Sequence, residues 1–417
     1  DYKCFRQAEV LFAKDPKLAH IRLGPDTMQE GTLTLEALPA LETVELGGEN
    51  FMQQKTLTLA NLPALTHFTF NSTSLTAVET LTITDTHLAT LRFPQGAFPH
   101  VTALTLNQVN MNTLTFEEAA LQNLQSLTLE NCANLTTFEA RPNSIGLVSA
   151  LRLAELPALK EVSLVGCAAH GLEEIALHDN PALTTFYKER CSEALKSIEL
   201  DHLPALSWFV VDDDKEDVTQ FVVKHAPALR SLSAKHVANL YDDVMVMNNT
   251  QLETIVLGGE DDASFAESQR FNLVQTPALK TVAFGERAFD AAHKLSIPST
   301  AVTSLAFGKD SWARLEVFDF SGFANLQSLT IQTGALASLQ AMAIQSPMLT
   351  AFTTMSNTLG EVASLSISNA KALRTVRIGD NCFNKAKAFT LSGAEVLEAF
   401  EVGDHCFQQV KEFDLSS

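Results

Sequence analysis

The side chains best suited to chemistry in this chain are its cysteines, at Cys4, Cys132, Cys167, Cys191, Cys382 and Cys406. They form no CxxC pair and have no histidine-rich companion run, so the spacing of a zinc site is missing. Asp404, His405 and Cys406 carry the residue types of a nucleophilic triad, yet adjacent residues of an extended strand point to opposite faces and do not converge. There is no GxSxG elbow, no HExxH and no phosphate loop. Acidic turns recur at Glu49, Asp212 to Asp214, Asp261 with Asp262, Asp380 and Asp404. Stacked carboxylates offer oxygen ligands for calcium, but the simpler expectation is a solvated rim that keeps a long chain soluble. The sequence therefore predicts no enzyme activity, no cofactor and no metal.

What positions these residues is a repeat. The tetrapeptide LPAL occurs at Leu38 to Leu41, Leu62 to Leu65, Leu156 to Leu159 and Leu203 to Leu206, with variants such as Asn180 to Leu183. The residue that ends it returns seventeen times, from Leu18 to Leu397, at intervals of 23 or 24 residues. One interval, Leu252 to Leu279, is 27 residues and holds Glu260, Asp261 and Asp262. Apolar residues alternate after each marker, as in Val44 and Leu46 or Val376 and Ile378, and before it, as in Leu57 and Leu59 or Leu365 and Ile367. That is strand periodicity on both sides of a corner. Proline belongs at the corner, because it has no N–H to give a central strand. Glycines at Gly24, Gly47, Gly258, Gly285, Gly308, Gly379 and Gly403 mark the other bend, where a turn calls for positive φ. A phenylalanine follows, as at Phe51, Phe289 or Phe383, and should plug the space between the strands. The predicted fold is a β-rich repeat solenoid: a leucine-rich-repeat-like stack of about seventeen coils of 23–24 residues, each with two short parallel strands. It is read as a single solenoid over 1–417.

The run LKSIELDHLPAL, Leu195 to Leu206, has the LxxLxLxx opening of leucine-rich repeats. Leu203 stands where most such families place a backbone-bonding asparagine, so no asparagine ladder is expected. The runs IGDNCFNKAKAFTL, Ile378 to Leu391, and VGDHCFQQVKEFDL, Val402 to Leu415, resemble the irregular leucine-rich repeats of BspA-like surface proteins. The resemblance covers essentially the whole chain. It implies a coil with a glycine turn followed by a small residue and phenylalanine, and a role in adhesion and host contact. Fold transfers better than function along such a likeness.

The formal charge of -20 argues against nucleic acid or an anionic membrane as partner, since both need clustered Lys and Arg. No apolar run is long enough for a transmembrane helix, and no charged-then-apolar leader precedes the repeats. The chain starts at Asp1 and both ends fall midway through a coil, so it is read as a slice of a longer array. Bare solenoid ends expose strand edges; Phe5, Phe413 and Leu415 are the candidate end-to-end contacts. Tyr187, Trp208 and Val210 fall outward on successive second strands and form the candidate partner-binding patch, since aromatics are typical interface anchors. A threonine column through Thr32, Thr34, Thr56, Thr58, Thr80, Thr82, Thr105 and Thr128 looks like an ice-binding face, but Arg152, Ala176 and Glu199 interrupt it. Cys382 and Cys406 should be neighbours in successive coils, near enough for a disulfide if side-chain geometry allows. Sequons at Asn71, Asn134 and Asn248 occur at the frequency chance gives. The expected function is a surface-exposed, extracellular recognition or adhesion protein that binds a protein or glycan along an extended solenoid face. The alternative is a structural subunit of a filament or extracellular assembly, self-associating end to end.

Overall fold

In a computed structural model the chain is a parallel β-solenoid, as the repeat predicts. The structure describes residues 9–189, 195–212, 220–235, 244–259, 265–297 and 301–416. Contacts divide the chain into two compact units: residues 1–195 with 201–206, and residues 196–200 with 207–417.

In the first unit the coil logic is clearest at Thr56–Leu62 and His67–Phe70. Leu57 and Leu59 are fully buried, while Thr56 and Thr58, which alternate with them, are exposed. The next coil repeats this one residue for residue, pairing Leu57 with Leu81 and Thr58 with Thr82 in parallel register. Between the two strands the marker makes a tight turn: the Leu65 N–H donates to the Leu62 carbonyl at 3.0 Å. The exposed Pro39 in the equivalent turn leaves no donor unsatisfied. In the second unit Thr281–Phe284 and Ser304–Phe307 are parallel neighbours, with Val282, Phe284, Leu305 and Phe307 inward. After every one of the seventeen markers there is a second strand. A single coil could not bury its own apolar face; stacking does it.

Most corners use left-handed backbone, and non-glycine residues supply most of it. Residues just before the marker, such as Asn61 at φ 55° and Asp179 at φ 53°, adopt it readily because Asn and Asp tolerate this region. The plugs adopt it too: Phe51, Phe98, Phe289, Trp312 and Phe383 all lie between φ 52° and 58°. The expectation that the turn glycines supply positive φ is corrected accordingly. Of those named, only Gly258 has it, at 90°. Gly47, Gly285, Gly308, Gly379 and Gly403 are small because coils stack backbone on backbone: a Cβ on Gly285 would lie 2.4 Å from the Gly258 carbonyl carbon, and one on Gly379 would lie 2.5 Å from the Ser356 nitrogen.

The asparagine reading also changes. Leu203 is an apolar core residue, but Asn180 and Asn249 occupy the same marker position and act as isolated rungs. Asn180 accepts from the Leu156 N–H at 3.0 Å and donates to the Leu153 carbonyl at 2.7 Å; Asn249 does the same with Ala226 and Val223. Each satisfies buried backbone groups of the preceding coil.

The ladders are not continuous. In the first unit, His67–Phe70 pairs back to Thr43–Leu46, and a new ladder starts at Thr90–Phe93. The first-strand ladder likewise ends at Ser126–Glu130 and restarts at Ala150–Ala154.

Candidate functional site

In the second unit the outward positions of the second strands form two columns. Parallel register runs Trp208, Ser231, Thr254, Thr281, Ser304 and Ser328 along one of them. Beside it runs Val210, Ser233, Val256, Ala283, Ala306 and Thr330. Ser, Thr, Ala and Val sit outward here because an exposed strand position favours β-branched or small side chains. Apart from Trp208, every one of these residues is half-buried, so the strip is flat. It is also free of charge in a chain carrying -20 overall.

Charges rim the strip instead. Glu253 bridges Arg230 at 3.3 Å and Lys280 at 2.9 Å, and Lys309 meets Glu286 at 2.6 Å. The hydrogen bond and charge of Lys280 hold the Glu253 carboxyl below the ordinary carboxylate range. Each pair links one coil to the next, and exposed pairs of this kind add little stability. Their effect is to keep the rim charges mutually satisfied beside a neutral centre, the arrangement of a binding patch with a polar margin.

Of the sequence-predicted patch, Trp208 and Val210 head these two columns, with Trp208 49 % exposed. Tyr187 belongs to the first unit, on Thr185–Lys188, where its register partner is Ser163. The equivalent column of the first unit carries Arg92, Glu139 and Ser163 and is charged. The sequence expectation names Trp208 and Val210 at the head of these columns and none of the small residues behind them. The signal was present, as small uncharged residues two and four positions beyond each marker from Leu229 to Leu326, but it is a pattern of what is lacking. Of the candidate end contacts, Phe413 and Leu415 are half-exposed on the Glu412–Ser416 strand, and Phe5 lies outside the described residues.

The chemistry candidates are occupied by structural work. The Cys406 thiol donates to the Gly379 carbonyl at 3.0 Å, and His405 is exposed, so Asp404, His405 and Cys406 make no triad. Asp380 accepts from the Asp404 N–H at 2.8 Å, and Glu49 accepts from the Gln29 amide at 2.9 Å, so these acidic turns bond neighbouring coils. The carboxylates of Asp212 to Asp214, Asp261 and Asp262 lie outside the described residues. Cys382 and Cys406 are neighbours, with the Cys382 N–H donating to the Cys406 sulfur at 3.3 Å, and both are free thiols, as is Cys132. Cys167 is disulfide-bonded, a feature the sequence did not signal; Cys4 and Cys191 lie outside the described residues. Asn71 and Asn134 are exposed sequons, while the Asn248 amide is within 3.0 Å of the His225 ring nitrogen.

Burial pushes the thiols of Cys132 and Cys406 above the ordinary cysteine range. Both are therefore thiols at neutral pH and weak nucleophiles. On treatment of the native protein with a maleimide at pH 7, Cys406 should react slowly and Cys132 and Cys382 only after unfolding. Rapid native labelling of Cys132 or Cys382, read by peptide mass, would contradict the packing described here.

Among the described residues, no helix is long and apolar enough to cross a membrane. No protein-family profile matches the sequence, and no curated protein does. Among solved structures the chain is similar to a leucine-rich repeat protein from Bacteroides ovatus, with 10% identity, 96% of this chain and 92% of that chain covered, and a TM-score of 0.31. It is also similar to a circular leucine-rich repeat protein, CroV588, with 10% identity, 90% and 66% covered, and a TM-score of 0.25. A third likeness is to a leucine-rich cell surface protein from Faecalibacterium prausnitzii, with 10% identity, 88% and 89% covered, and a TM-score of 0.21. At such identities and scores the fold rests on this chain's own strand pairing.

Proposed function

We propose that this chain is a non-enzymatic recognition protein of the BspA-like kind, working at a cell surface or outside the cell, whose second unit docks a protein or glycan on the strip headed by Trp208. The observation that carries this reading is the strip itself: an uncharged, flat run of small side chains on a strand ladder, with one half-exposed tryptophan at its head. Small residues let a partner approach the ladder closely, and a rigid aromatic supplies contact area at little cost in conformational entropy. Adhesion is the use that such a passive surface serves. The Cys167 disulfide supports an oxidising compartment, where such bonds persist. Tyr187 lies on the first unit and is proposed as a separate partner contact of that unit.

The test is binding of the purified chain to arrays of extracellular-matrix proteins and of glycans, followed by alanine variants against any ligand found. Trp208→Ala should weaken binding at least about tenfold, the effect of a moderate hot spot. Val317→Ala, at a residue 75% exposed and off the strip, should leave it unchanged. Equal loss in both variants, or in neither, would remove the strip from the account. The second reading is assembly end to end through Phe5, Phe413 and Leu415. It predicts a mass that rises with concentration and that Phe413→Ser holds constant.

A further inference from the structure

The ladder break in the first unit has a cause written in the residues beside it. In neighbouring coils the residue after the second strand donates back to the preceding coil: the Asn71 N–H to the Leu46 carbonyl at 3.1 Å, the Glu117 N–H to the Phe93 carbonyl at 3.0 Å. Pro94 stands at that position in the coil between them and has no N–H for the Phe70 carbonyl. Yet the same two coils are zipped on their other side, where Thr56–Leu62 pairs with Thr80–Thr86 from Leu57 through Leu62. They are therefore hinged apart on one side only.

In a parallel ladder successive residues turn their amide and carbonyl to alternate neighbours. Because His67 donates back to Glu42, Phe68 and Phe70 turn theirs toward the next coil. Because the Phe93 carbonyl accepts from the following coil, Thr90 and Arg92 turn theirs toward the previous one. The result is two strand edges, His67–Phe70 and Thr90–Phe93, facing each other without a ladder between them. The space they flank is a groove of about 580 Å³, with Phe68 and Phe70 among its lining residues.

We propose that this groove accepts one extended peptide segment of a partner protein, which completes the ladder by pairing with both edges at once. Strand addition matches the alternating donors and acceptors of two facing edges, which a compact small molecule does not. Charge sets the class of segment. Around the groove stand Thr66, Thr69 and Thr90, and its one guanidinium, Arg92, is held by Glu117 at 2.7 Å. A neutral rim fits a neutral strand, with threonine-like residues outward and apolar ones alternating inward over Phe68 and Phe70. The site lies wholly in the first unit and is independent of the strip in the second.

The experiment selects random heptapeptides displayed on phage against the intact chain, then follows amide hydrogen exchange with the best synthetic peptide bound. The expected result is enrichment of neutral sequences of alternating polarity, with exchange at Phe68, Phe70, Thr90 and Arg92 slowed at least tenfold on binding. A copy of the peptide N-methylated at alternate backbone nitrogens, its side chains unchanged, should bind at least tenfold more weakly. Failure to enrich any peptide, protection elsewhere on the chain, or equal binding of the N-methylated copy would each overturn the proposal. So would a rise in mass with concentration that the peptide competes away, since the occupant would then be a second copy of this chain.

Discussion

Replacing Trp312 by alanine should destabilise the second unit by about 3–5 kcal/mol, the largest effect expected of any single core truncation in the chain. Trp312 is fully buried and is the plug of its coil. Its ring stacks on Phe289, the plug of the coil before, at 4.6 Å and 13°, and meets Phe284 edge-on at 5.2 Å. An alanine would leave a cavity that neighbouring coils, held by their own ladders, are poorly able to fill. Trp312→Phe should behave quite differently. The indole N–H has no hydrogen-bond partner, so phenylalanine loses no bond and frees the core of an unsatisfied donor. Phenylalanine also occupies this position at Phe289 and Phe383, with the same left-handed backbone. Its cost should stay below about 1.5 kcal/mol. Denaturant unfolding followed by circular dichroism separates the two, and equal losses in both variants would contradict the packing of the plug column.

The second large effect is Gly285→Ala. The added carbon would lie 2.4 Å from the Gly258 carbonyl carbon and 2.5 Å from the Gly259 carbonyl oxygen, and neither is a side chain that can turn away. Two stacked turns would have to part, costing about 3 kcal/mol, at the upper end for overpacking. Gly322→Ala is the control. It has nothing within 4 Å of its added carbon and no left-handed backbone to preserve, so it should change stability by less than about 0.5 kcal/mol. Were both substitutions harmless, the close stacking of the turns would be disproved.

The pair shows what a repeat makes legible. Inward positions recur so often that Leu57, Val282 and Leu305 are identified as strand cores without any structure, because the residue type varies while the direction does not. Proline at the corner and phenylalanine in the plug follow from the same recurrence. The role of the glycines was misread because sequence shows that a site excludes side chains without showing whether backbone angle or a neighbouring coil excludes them. Asn180 and Asn249 were hidden for the opposite reason: their position is usually apolar, and only the depth of the marker residue reveals that they bond buried backbone. Pro94 departs from the other coils in the sequence, but its consequence depends on which backbone carbonyl of the preceding coil it faces. Such a contact is tertiary and leaves no period in the sequence. The strip beyond Trp208 escapes a search for groups that bind, because this surface is defined by small residues in register.

With two tryptophans in the chain, Trp312→Phe leaves Trp208 as the sole tryptophan emitter, and this provides the most direct test of the proposed recognition surface. Titration of that variant with a ligand found on the arrays should shift the Trp208 emission to shorter wavelength and shield it from acrylamide, saturating at the same concentration as binding. Saturable binding that leaves both emission and quenching of Trp208 unchanged would contradict the account and place the recognition surface elsewhere.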